Sequence, residues 1–127
     1  MKVIFDKIYF EIMKKRRRFT IEKREQARKF VAERINYFKG FYNFRINRIA
    51  IKNTKTRWGS CSEFRNLNFN YKIIYLKPQL ADYLIVHELC HLGELNHSKR
   101  YWNLVKKTIP GYVAINKELR KTPVNLV

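Results

Sequence analysis

The chain has 127 residues and a mass of 15.5 kDa, with 28 Lys+Arg against 10 Asp+Glu, a formal charge of +18 and a pI near 10.2. That length suits one domain, and 46% hydrophobic with 15% aromatic content does not suit a disordered chain. The charge excludes an acidic surface and raises contact with polyanions as a question. No apolar run approaches the ~20 residues of a membrane helix, and Asp6, Lys7 and Glu11 interrupt the start where a signal peptide needs an unbroken apolar stretch. Two cysteines, Cys61 and Cys90, make no disulfide scaffold at this length; free thiols and a cytoplasmic location are expected.

The charge is lopsided: residues 1–57 hold 18 basic and 5 acidic residues, and residues 58–127 hold 10 and 5. Its densest run, Lys14-Lys15-Arg16-Arg17-Arg18, lies within a basic extension over residues 1–19 and precedes Thr20, an expected N-cap. This half of the chain is where nucleic-acid or ribosome contact is expected if it occurs, although a charge run is more often a solvated face. Ala27, Val31, Ile35 and Phe38 recur at helical spacing and predict a helix ending near Gly40. Phe44, Ile46, Arg48 and Ala50 alternate with their neighbours as a strand does, and residues 54–62 read as a turn plus a short strand. Leu67, Phe69, Tyr71 and Ile73 alternate with Asn66, Asn68, Asn70 and Lys72, and the polar asparagine face predicts an edge strand. From about Gln79 a buried helix is expected as far as Gly93; Ser98 caps a third helix stopped by Pro110, and a fourth runs from Tyr112 to about Lys121. The order predicts an α+β domain over residues 1–127: an N-terminal helix, a small twisted three-stranded sheet, then an active-site helix and C-terminal helices.

All three histidines fall in HELCHLGELNH. His87 and His91, four apart on a helix, project from one face one turn apart, which suits two nitrogens on a tetrahedral zinc ion. Glu88 flanks the pair, where it reaches a zinc-bound water rather than the metal, as a general base must. On an unbroken helix, six further residues at ~100° each would put His97 on the opposite side from His91. Gly93, read as a helix terminator, lets the chain fold back and bring His97 to the same metal. Three imidazoles and one open position describe a catalytic rather than a structural zinc site, and peptide-bond hydrolysis is the expected chemistry. An extended peptide would add to an edge strand at Asn66 to Tyr71, with Asn66, Asn68, Asn70, Arg57 and Tyr101 as substrate-binding candidates. The oxyanion stabiliser stays open among Arg57, Tyr101 and Tyr112. Trp58, Cys61, Cys90 and Trp102 read as packing residues.

RWGSCS (Arg57 to Ser62), Pro78 and DYLIVHELCHLGELNHSKRYW (Asp82 to Trp102) together resemble the YgjP-like zinc metallopeptidases, relatives of the SprT and WLM groups of HExxH proteins. The resemblance covers roughly residues 20–120. It implies a compact zincin-like fold, one zinc held by His87, His91 and His97, and a catalytic Glu88 acting on peptides or proteins. Longer members have an N-terminal β-rich region where this chain has little more than MKVIFDKIYFEIM, so the expectation is a minimal catalytic domain. Two other classes share features of the motif. A YbeY-like metal-dependent RNase has the same ligand spacing, but glycine where Glu88 stands. A non-catalytic zinc module associated with nucleic acid would fill the metal's fourth position with a protein ligand.

Overall fold

A computed structural model describes residues 6–9 and 18–127. Lys14 to Arg17, the greater part of the basic run, lie outside the described residues, as does most of the extension expected over residues 1–19.

Helix α1 spans Ile21–Phe38, and the Thr20 side chain caps it by accepting from Lys23 N at 3.2 Å. Its buried face is Ala27, Val31, Ile35 and Phe38, the stripe that the periodicity predicts. Strands β1 (Arg48–Lys52), β2 (Gly59–Cys61) and β3 (Asn66–Asn70) form one sheet in the order β1-β3-β2. β1 runs parallel to β3, with Arg48 opposite Asn66 and Lys52 opposite Asn70; β2 runs antiparallel, with Ser60 opposite Asn68. A 3-10 segment (Tyr71–Tyr75) leads into α2 (Pro78–Cys90), then α3 (Lys99–Thr108) and α4 (Tyr112–Arg120). The mixture of helices with a small three-stranded sheet agrees with the α+β reading.

The alternation from Phe44 extends the strand too far back: β1 starts at Arg48, opposite Asn66 at the start of β3, and Asn47 N–H donates to Arg65 O just before the ladder begins. More consequentially, the asparagine strand is central rather than an edge. β1 pairs with β3 in parallel, a crossover that buries β3 between its neighbours and leaves β1 and β2 as the edges. Its asparagines tolerate that position because the side chains bond within the protein: Asn68 Nδ2 donates to Ser60 Oγ at 3.1 Å, and Asn47 Nδ2 donates to Asn66 Oδ1 at 3.0 Å.

The core lies between α1, the inner face of the sheet and α2, with Leu67, Phe69, Ile85, Val86 and Leu89 almost wholly buried. Among the described residues no helix is long and apolar enough to cross a membrane.

Candidate active site

Helix α2 is apolar nearly all round, as a helix packed between a sheet and other helices must be. Pro78 starts it, in the first-turn position where the missing N–H costs nothing. It ends at Cys90, where a turn over residues 91–93 reverses the chain, with Leu92 N, Gly93 N and Glu94 N donating back to Leu89 O, Cys90 O and Cys90 O. Gly93 does not act through a left-handed backbone, since no glycine here has positive φ. It acts through space: a Cβ there would lie 2.7 Å from two ring carbons of Phe44 and 3.1 Å from Leu104 Cδ1. The fold-back expected at Gly93 occurs, and close packing there leaves no room for a side chain.

The turn brings the three histidines together, with one ring nitrogen from each within 4.8 Å of the others, so that they could hold a metal ion. His91 Nε2 and His97 Nε2 stand 3.0 Å apart, near the ~3.3 Å separation that bonds of ~2.0–2.1 Å at tetrahedral angles produce. The remaining ring nitrogens set the tautomers. His91 Nδ1–H donates to Glu94 O at 3.1 Å, which leaves Nε2 with a free lone pair. Tyr83 donates its only hydroxyl hydrogen to Asn116 Oδ1 at 2.9 Å, so at 3.2 Å from His87 Nδ1 it accepts. That again leaves Nε2 free. The donor set therefore fits a divalent metal of the kind imidazole binds.

Burial, with the nearby His91 and His97, depresses His87 to about 3, and burial also lowers His91; both imidazoles are neutral, the form that binds metal. His97 is exposed, so the cluster opens to solvent on that side. Its ring stacks on Trp102, which stacks in turn on Tyr112 of α4.

Glu88 is 4% exposed. Burial pushes its carboxyl up to about 8, against the pull of the Arg57 charge. Glu88 and His87 line one cavity of about 220 Å³ together with Trp58, Gly59, Asn116 and Arg120. The remaining candidates divide differently. Asn70 is 1% exposed and its amide is fully engaged: Nδ2 reaches Thr54 O, Thr54 Oγ1 and Arg57 O at 2.8–3.0 Å, and Oδ1 accepts from Lys72 N. It clamps the loop before β2 and has no group left for a substrate. Tyr101 is wholly buried, its hydroxyl donates to His87 O at 2.8 Å, and its ring stacks on His91. It supports the site from beneath, with its hydroxyl hydrogen already donated to His87 O and none left for a substrate or an oxyanion. Arg57 stays exposed. Trp58 packs as expected, its Nε1–H donating to Thr122 O.

The sequence matches the YgjP-like metallopeptidase domain over residues 8–122. The chain belongs to this family. No curated protein matches it. Among solved structures, the metallopeptidase zymogen of Pyrococcus abyssi abylysin is similar with a TM-score of 0.64 and 20% identity, over 72% of this chain and 93% of that one. The Methanocaldococcus jannaschii jannalysin zymogen is similar with a TM-score of 0.61 and 23% identity, over 72% of this chain and 95% of that one. At such identities the likeness is one of fold, the mixed helices and small three-stranded sheet.

Sequence reasoning missed Tyr83, Asn116 and Gly59. Tyr83 lies one helical turn before His87, a spacing that could have been noticed; Asn116 comes from α4 and carries no local signal. The edge beside Glu88 was missed with them, because three residues of β2 are too short for a periodicity.

Proposed function

We propose that this family member is a zinc-dependent peptidase in which His87, His91 and His97 hold the metal and Glu88 is the general base. The observation that carries the reading is the convergence of three imidazoles next to the buried Glu88 carboxyl, with His87 and Glu88 on one cavity. When bound, zinc would polarise the substrate carbonyl and acidify water. It is the ionised fraction of Glu88 that takes a proton from the attacking water and returns it to the leaving amine. Its buried setting keeps competing solvent from the carboxylate. The peptide lies along the free edge of β2, whose backbone offers the hydrogen bonds of strand addition. This replaces the Asn66 to Tyr71 strand, which has neighbours on both sides.

The test is metal content and hydrolysis measured together on wild type, Glu88→Gln and His97→Ala. One equivalent of zinc in wild type and Glu88→Gln, reduced in His97→Ala, with hydrolysis of a denatured-protein substrate only in wild type, is the expected pattern. Full activity in Glu88→Gln would remove the base assignment, and no stoichiometric metal in wild type would remove the enzyme reading.

A further inference from the structure

The other face of β2 carries a second cavity, of about 340 Å³, bordered by Lys52 of β1, Arg57, Gly59, Ser60 and Asn68. Gly59 borders this cavity and also the one that holds His87 and Glu88, so the two adjoin across a single residue of the edge strand. Both cations are exposed, and neither forms an ion pair with an acid among the described residues. No Asp or Glu borders the cavity. The backbone that presents Arg57 is fixed: its carbonyl accepts from Asn70 Nδ2 at 3.0 Å and from Thr54 Oγ1 at 2.9 Å. Ser60 and Asn68 bond to each other and give the cavity a polar floor.

A recess bordered by two cations and no acid suits an anion, and the planar guanidinium suits the two oxygens of a carboxylate. The recess lies over β3 between β1 and β2, one to two strand spacings of about 4.8 Å from a peptide on the free edge of β2. That is within reach of a side chain or terminus one or two residues from a carbonyl beside Glu88, and of the long Arg57 and Lys52 side chains. We propose that Arg57 and Lys52 bind a carboxylate of the peptide substrate at that position, either an acidic side chain or the chain's own C-terminus. The inference rests on the peptidase reading for the word substrate, but the recess binds its carboxylate whether or not hydrolysis follows.

The test separates the two. Fluorescent peptides are titrated onto Glu88→Gln protein by anisotropy: one neutral and amidated with a central Gln, one with Glu in its place, and one neutral with a free C-terminus. The Glu peptide, the free-carboxylate peptide, or both are expected to bind about tenfold more tightly than the neutral one, and which of them gains identifies the source of the carboxylate. Adding Lys52→Gln/Arg57→Gln should shrink that advantage to within about twofold, whereas Arg24→Gln/Lys29→Gln, an equal loss of charge on the exposed face of α1, should leave it. Equal binding of all three peptides, absence of binding, or an equal loss in the α1 variant would overturn the proposal, as would an oligonucleotide that displaces the peptide more strongly than an acidic peptide of equal charge. Wild type that cleaves none of the peptides, while the binding differences persist, would count against the peptidase reading alone.

Discussion

Gly59 leaves the room that the Glu88 carboxylate occupies: a Cβ at Gly59 would lie 2.9 Å from Glu88 Oε2 and 2.9 Å from Asn68 O. One neighbour is backbone of the central strand, so β2 itself must give at that contact, and the Glu88 carboxyl, the end of a side chain, must move as well. Gly59→Ala should therefore lower kcat about tenfold or more, since a catalytic group displaced by a fraction of an ångström loses its geometry. Zinc content should stay at the wild-type level, because no histidine is touched. Loss of metal along with activity would show that the disturbance had spread past Glu88 to the histidines.

Tyr83 and Asn116 hold the proton of His87 on Nδ1 through a chain of two hydrogen bonds. Tyr83→Phe keeps the ring packing and removes the acceptor, so His87 loses the partner that orients its ring and fixes its tautomer. Zinc affinity should fall by roughly 10–100-fold, as read by competition with a chromophoric chelator. Tyr101→Phe is the contrasting variant. Its hydroxyl serves the His87 carbonyl rather than the ring, so it should lower thermal stability with a smaller effect on metal binding.

These relationships also mark how far the sequence is legible. His87 and His91 are readable because a helix converts a spacing of four into one face, and His97 is readable because the chain must turn within six residues to be useful. Thr20, Ser98 and the α1 stripe are local signals, and the structure keeps them. Strand order is not local. Nothing in Asn66 to Asn70 reveals that β1 will pair alongside in parallel, so a polar alternation that looks like an edge becomes the centre. Gly93 shows a related failure, in which the residue is in the expected place and its reason is a Phe44 ring 49 positions away in sequence. Asn116 is illegible for the same cause, since only the packing of α4 against α2 sets it beside Tyr83.

Asn70 is the residue whose role changes most between sequence and structure. A buried amide that anchors Thr54 and Arg57 from inside the sheet should be costly to remove, because truncation deletes its bonds to Thr54 O and Lys72 N and one of the two donors to Arg57 O. Asn70→Ala should destabilise the protein by about 2–3 kcal/mol in urea denaturation. Asn70→Asp should be at least as damaging despite equal size, since an acceptor would then face the carbonyls that now accept from Nδ2. A neutral Asn70→Asp would mean that the loop holds itself in place without the clamp.

Alkaline pH supplies a prediction that separates buried protons from surface charge. Burial pushes the Cys61 thiol up to about 11 and the Cys90 thiol up to about 12, and raises Tyr42, Tyr83 and Tyr101 above their ordinary range. Each group holds its proton in the folded protein at a pH where the unfolded chain has released it. The native state then binds more protons, and stability falls as pH rises, by about 1.4 kcal/mol per pH unit for each such group. The thiols act from about pH 9 and the tyrosines from about pH 10. Relief of repulsion within a +18 chain as its lysines discharge would act in the opposite direction, toward greatest stability near the pI of 10.2. The buried groups should win because they are desolvated whereas the surface charges are screened by salt. Urea midpoints at pH 7, 9 and 10.5 are therefore expected to decline above pH 9, with the decline reduced in a Cys61→Ala/Cys90→Ala protein. A midpoint that rises toward pH 10 would show that surface repulsion governs the stability of this domain.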